Sequence, residues 1–214
     1  KLKEIVKKYS NIMTIESIGK TTQNNDLWAI KISDNPSSDE LEPEVKYIAN
    51  MHGNEIVGRE LMVFLINDLG KMYNAKDQQV LDLINNTEIY IIPSMNPDGA
   101  ALRRRGNYKY ADLNRDFPDF STRDNQNNPK NRELETQAIM KLQKERNFSL
   151  SVNFHGGAEV VNYPWDTLPD DHPFLELVKD ISTSYADLVP GMRNSNEFPG
   201  GIVNGYDWYE VNGG

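Results

Sequence analysis

The chain has 214 residues, no cysteine and a formal net charge of -9 at pH 7. Disulfides, thiolate metal sites and cysteine nucleophiles are therefore excluded, and the acidic balance argues against nucleic acid as a partner, because phosphate binding needs a basic surface. With a mean hydropathy of -0.65 and no apolar run near the ~18 residues of a membrane span, an ordinary globular chain of one domain is expected.

Residues 1–9 read as the end of a helix, and their Lys-Leu-Lys-Glu start lacks the apolar core of a signal peptide, so any such leader is expected to have been removed. Residues 12–18 and 27–33 are short β-like runs about a polar turn at 21–26, as in a hairpin. Residues 34–43, rich in Pro, Ser and acids, read as a loop. Residues 45–51 predict a strand. Residues 55–70 predict a helix with Val57, Leu61, Phe64 and Leu65 near one face and Gly70 as its stop. A β-branched strand follows at 88–92, ended by Pro93. The stretch 94–130 is long and polar, and such loops inside a compact domain are usually functional or disordered. Helices are predicted at 132–146 and at 173–188, the second with Phe174, Val178, Ile181 and Tyr185 on one side, and a strand at 148–154. Residues 197–214 read as Gly-rich and irregular. This alternation predicts an α/β fold, a mixed, mostly parallel twisted sheet with helices on both faces.

Ligands of open α/β sheets sit at the carboxyl ends of strands. Two of the three histidines fall there: His52 after the strand at 45–51, and His155 after the strand at 148–154. Glu55 stands three positions beyond His52 at a strand-to-helix turn, so both side chains can reach one point. His155, in Asn-Phe-His-Gly-Gly, is the natural third ligand. Two histidines and one carboxylate make a zinc set that leaves a fourth position for water, the catalytic type of site. His172, in a Pro-Asp-Asp-His-Pro turn, reads as structural.

The surrounding residues carry a family resemblance. Asn-Met-His-Gly-Asn-Glu-Ile-Val-Gly-Arg-Glu at 50–60 resembles the zinc motif of the M14 metallocarboxypeptidases, nearest the carboxypeptidase N/E subfamily. Asn-Pro-Asp-Gly at 96–99, Asp-Leu-Asn-Arg-Asp-Phe-Pro-Asp at 112–119 and Asn-Phe-His-Gly-Gly at 153–157 are similar to its later blocks, in the same order. Val-Asn-Tyr-Pro-Trp-Asp at 161–166 and Gly-Ile-Val-Asn-Gly-Tyr-Asp-Trp-Tyr at 201–209 continue the match. The resemblance implies a zinc carboxypeptidase fold, a single catalytic domain over residues 1–214 and one bound Zn2+. It puts His52, Glu55 and His155 on the zinc ligands, a set for which carboxypeptidase A, a relative, is a standard example. Arg105 falls on the arginine that polarises the scissile carbonyl. Asn114 and Arg115 fall on the pair that binds the substrate's terminal carboxylate, Tyr209 on the tyrosine that closes over the substrate, and Asp166 on the acidic specificity position.

These assignments imply hydrolysis of the C-terminal bond of peptides or proteins, with release of Lys or Arg. A guanidinium recognises a free carboxylate through paired charge-assisted bonds, and a carboxylate at Asp166 favours cationic side chains. The family's general-base glutamate lies past the Gly-Gly that follows Tyr209, so it is expected beyond residue 214; no motif supports Glu159, Glu197 or Glu210 in that role. The domain is expected to continue past Gly214, and a chain ending there to be poorly stable or inactive. The resemblance further implies a secreted or periplasmic location, peptide and protein C-termini as partners, and a monomer. Two alternatives on the same scaffold are a zinc amidase or deacylase and a non-catalytic peptide-binding module.

Overall fold

A computed structural model describes residues 1–119 and 128–212, with side chains as far as Trp208. The chain divides into two compact units, one of Lys1–Phe117 with Pro129–Gly156, the other of Pro118–Asn128 with Gly157–Gly214.

In chain order the first unit holds α1 (Leu2–Lys8), β1 (Met13–Lys20), β2 (Asp26–Ile32), β3 (Glu44–Ala49), α2 (Ile56–Asn74), α3 (Gln78–Ile84), β4 (Glu88–Ile92), α4 (Pro97–Ala101), α5 (Leu134–Glu145) and β5 (Phe148–Phe154). Its sheet runs β1-β2-β4-β3-β5. The sheet is mixed: β2 is antiparallel to β1 and to β4, while β3 is parallel to both β4 and β5. Successive strand residues face opposite ways, and the burial follows. Ile30, Ile32, Ala49, Ile89 and Ile91 pack with Tyr9 and with Met62, Ile66, Leu69, Val80 and Ile84 of α2 and α3. Ala29, Ile48 and Ile92 pack the other way, with Leu113 and with Ile139 and Leu142 of α5. Helices therefore cover both faces. β4 is buried along its whole length, as expected of a strand covered on both sides.

Two expectations for α2 fail together. The helix continues to Asn74, so Gly70 lies inside it. A Cβ at Gly70 would stand 2.4 Å from the Tyr9 ring, so this glycine admits the tyrosine instead of ending the helix. The buried face is Gly58, Met62, Val63, Ile66, Leu69 and Gly70, whereas Val57, Leu61 and Phe64 are 65%, 51% and 62% exposed. Apolar residues of α2 lie on more than one side of the helix, so spacing alone could not choose its inner face. Gly70→Ala is expected to destabilise the fold by about 1–3 kcal/mol, the usual cost of overpacking; urea unfolding of the two proteins measures it.

Three further elements escaped the sequence reading. α3 is capped by Asp77, which accepts a hydrogen bond from the Val80 amide at 3.1 Å, a signal present in the sequence. α4 lies inside the polar stretch 94–130, with Asn96 as its cap and Pro97 at its first turn. A 3-10 turn, Leu113–Arg115, follows in the same stretch.

The second unit holds β6 (Val161–Tyr163), α6 (Leu175–Asp187), α7 (Pro190–Arg193), β7 (Ile202–Asn204) and α8 (Gly205–Asn212). β6 and β7 pair in parallel, Val161 opposite Ile202. Residues 197–212 are thus not irregular: they carry a strand and a helix, and the three-residue strand exists through a partner forty residues away in sequence, which local pattern does not reveal. The side of α6 that carries Phe174, Val178, Ile181 and Tyr185 is largely exposed at Phe174, Ile181 and Tyr185, while Ser182 and Ala186 are buried. His172 stacks between Trp165 and Phe174 and accepts from the Phe174 amide at 3.0 Å, in keeping with a structural histidine.

Candidate metal centre

The sheet brings the two histidines together. β3 and β5 are neighbours, with Ala49 opposite Phe154. His155 follows Phe154 directly, and His52 stands at the end of the short turn that follows Ala49. Glu55 is the N-cap residue of α2, yet its side chain caps nothing, because the carboxylate turns toward the histidines. His52 Nδ1 lies 2.8 Å from Glu55 Oε1, and His155 Nδ1 lies 3.2 Å from Oε2. The two Nδ1 atoms are 3.1 Å apart. The Gly156 amide donates to Oε2 at 2.8 Å, and a Cβ at Gly156 would sit 3.1 Å from the Glu55 side chain, which explains a glycine just after the second histidine.

These atoms fit a metal ion. A tetrahedral zinc with bonds of about 2.0–2.1 Å holds its ligand atoms roughly 3.3 Å apart, within a few tenths of an ångström of the spacings here. The donor chemistry agrees as well. Two imidazole Nδ1 atoms face each other across a carboxylate, an arrangement in which a cation satisfies all the lone pairs at once. His52 Nε2, the outer nitrogen, lies 3.1 Å from Asp112 Oδ1; donation to that carboxylate fixes the tautomer that leaves Nδ1 free to bind metal. The outer nitrogen of His155 lies 3.1 Å from Asn153 Nδ2. His52 is buried, while the Glu55 and His155 side chains are 15% and 33% exposed.

The electrostatics keep the acids charged. Burial works to raise the Glu55 carboxyl, but its close contacts with His155 and His52 and the hydrogen bond from the Gly156 amide outweigh it and hold the group far below the usual carboxylate range. Burial also opposes ionisation of Asp112, where the Arg105 guanidinium and the Asn114 amide prevail and hold its carboxyl low.

Asp112, which the sequence reading left without a role, joins this cluster. It accepts from Arg105 Nε at 2.8 Å and from the Asn114 amide at 2.9 Å while it meets His52. It therefore ties together the outer side of the metal ligand, the arginine and the Leu113–Arg115 turn. Its place at the head of the 112–119 block was the available signal. Arg105 also reaches Glu55 Oε1 at 3.8 Å. Arg115 projects from the turn with its guanidinium donating to the Asn114 carbonyl at 2.9 Å.

Asp166 belongs to the second unit. It follows a cis peptide between Pro164 and Trp165. Its carboxylate fills the space beside Gly205, where a Cβ would stand 1.6 Å from Oδ1. The residue keeps surface in contact with water, while the protein around it pushes its carboxyl above the ordinary value by burial. Tyr209 lies on α8, and its side chain, like that of Glu210, is outside the described residues. Glu159 also lies in the second unit, with its carboxylate against Gly191.

Comparison with known proteins agrees with this geometry. The zinc carboxypeptidase model of the M14 peptidases matches residues 1–214. Carboxypeptidase M of Mus musculus is 40% identical over 238 residues, an alignment covering all of this chain and 53% of that protein. Carboxypeptidase D of Homo sapiens is 40% identical over 239 residues, covering all of this chain and 17% of its own length. The chain thus spans about half of the first relative and far less of the second. A crystal structure of carboxypeptidase A from Helicoverpa armigera shares the fold, with a TM-score of 0.75 at 20% identity over 96% of this chain and 56% of that one. By its match to the family model along its whole length and its 40% identity to carboxypeptidase M, this chain belongs to the M14 zinc carboxypeptidase family.

Proposed function

We propose that this protein hydrolyses the C-terminal peptide bond of peptides or proteins and releases Lys or Arg. The observation that carries the reading is the convergence of His52, Glu55 and His155 on one point, with Arg105 and the 112–115 turn joined to it through Asp112. His52, Glu55 and His155 would hold the zinc, which when bound supplies Lewis acidity toward a carbonyl and toward water. Arg105 places a fixed positive charge beside the centre, where it stabilises the oxyanion that forms at the scissile carbonyl. Asp112 orients that guanidinium. Arg115 and Asn114 take the substrate's free carboxylate, which restricts cleavage to the last bond. Tyr209 closes over the bound end. Asp166 pairs with a cationic side chain on the residue released.

Residues 1–214 are taken as belonging to one catalytic domain, with an extracytoplasmic location; both follow from the resemblance. No helix among the described residues is long and apolar enough to cross a membrane.

The test compares release of C-terminal Arg with release of C-terminal Phe from otherwise identical peptides, in the wild type, Asp166→Ala and Gly205→Ala. Asp166 is exposed, and where the bound substrate buries its pairing with a cationic side chain, loss of one partner costs about 2–5 kcal/mol, so the preference for Arg is expected to fall at least ~30-fold in Asp166→Ala. Gly205→Ala, which evicts the carboxylate, is expected to do the same. An undiminished Arg preference in both variants contradicts the assignment of Asp166.

A further inference from the structure

We propose that Asn50 is a positioning residue of the metal centre: its buried carboxamide holds the backbone of the loop from His52 to Glu55 in the shape that aims both side chains at one ion. The proposal rests on reading His52, Glu55 and His155 as metal ligands.

β3 ends at Ala49 and α2 begins at Ile56, so the two ligands closest in sequence lie on neither element. Few backbone bonds hold the segment between. The Glu55 amide donates to the His52 carbonyl and the Gly53 amide to the Arg105 carbonyl, each at 3.1 Å. The Asn96 side-chain amide donates to the Met51 carbonyl at 3.1 Å, and Asn50 holds the carbonyls that follow. Its Nδ2 lies 2.9 Å from the His52 carbonyl, 3.2 Å from that of Gly53 and 3.1 Å from that of Glu55. A carboxamide nitrogen carries two hydrogens, so three carbonyls share them, and the loop curls around that one nitrogen. Asn50 is fully buried, which leaves no water to replace the amide. Without it the His52 and Glu55 carbonyls lose a donor and the Gly53 carbonyl must find another, and a shift of those peptides swings the His52 and Glu55 side chains away from each other.

The carboxamide is itself held. Ser94 Oγ donates to Asn50 Oδ1 at 2.7 Å, which directs the nitrogen, and not the oxygen, at the loop. The Asn96 amide donates to the Asn50 carbonyl at 3.1 Å. Asn50 has a φ of 57°, a left-handed conformation that asparagine tolerates better than most residues and that turns its side chain back beneath the loop. Asn50 is not among the metal-ligating atoms, so its action passes through the loop.

The test is zinc affinity, measured by competition with a chromophoric chelator, together with the visible spectrum of the Co2+-loaded protein and thermal unfolding of the metal-free protein. Asn50→Gly keeps the backbone conformation and removes the amide; Ser94→Ala releases the amide without removing it; His155→Ala is the reference for a lost ligand. Asn50→Gly is expected to bind zinc about 10- to 100-fold more weakly, the range for partners that orient ligands, with an altered Co2+ spectrum and a cooperative metal-free melt. Ser94→Ala is expected to lose about 2- to 10-fold, and it decides the matter alone where Asn50→Gly does not fold. Wild-type zinc affinity and Co2+ spectrum in the folded variants, with His155→Ala impaired, overturn the role of Asn50 even where metal-free stability falls. A wild-type chain that binds no zinc, or a His155→Ala variant that binds it equally, overturns the metal reading and the role of Asn50 with it.

Discussion

Glu55→Gln is expected to weaken zinc binding by more than the roughly 100-fold that separates a supporting residue from an intact site, and to do so without unfolding the chain. The replacement keeps the shape of the side chain and changes its chemistry. Both Glu55 oxygens are engaged, Oε1 by His52 and Oε2 by His155 and the Gly156 amide. A glutamine turns one of those acceptors into a donor that points hydrogens at the metal position and at a histidine nitrogen. It also removes the negative charge that compensates the cation in a partly desolvated site. Chelator competition, with circular dichroism to check the fold, measures the effect. Zinc affinity within tenfold of wild type contradicts the assignment of Glu55 as a ligand.

Gly53→Ala is expected to do comparable damage while leaving every ligand in place. A Cβ at Gly53 would lie 2.1 Å from the Gly99 carbonyl carbon, 2.4 Å from the Ala100 nitrogen and 2.7 Å from the Arg104 carbonyl oxygen. All three are backbone atoms, so no side chain can swing aside. Either the ligand loop or the segment from α4 to Arg105 must move. The bond from the Gly53 amide to the Arg105 carbonyl at 3.1 Å couples the two, so movement of either displaces both the metal ligands and the arginine beside them. The expected result is at least ~10-fold weaker zinc binding, comparable to loss of an orienting partner, together with destabilisation at or above the ~1–3 kcal/mol of ordinary overpacking. Zinc titration and urea unfolding of the same protein separate the two effects. Wild-type values in both measurements contradict the close approach of these backbones.

Much of this site was legible because its parts obey local rules. The runs at 88–92 and 148–154 are β-branched or alternating and sharply bounded, and β4 and β5 begin and end at those residues. His52, Glu55 and His155 follow strand ends, and the parallel pairing of β3 with β5 brings strand ends together. What was not legible depends on partners distant in sequence. Gly70 reads as a helix stop until the Tyr9 ring is seen against it. The inner face of α2 cannot be chosen from apolar residues that lie on more than one side of the helix. β7 needs β6 to exist at all. Asp112 is one acid among several in a polar stretch until the fold sets it between His52 and Arg105, and Asn50 is one asparagine among many until three carbonyls converge on its amide.

The most direct test of the central claim is zinc counted per chain after exhaustive dialysis against zinc-buffered solution, in the wild type and in His155→Ala. One zinc per wild-type chain, lost in the variant, is the predicted result. No bound zinc in the wild type, or a full equivalent retained by the variant, contradicts a metal centre built on His52, Glu55 and His155.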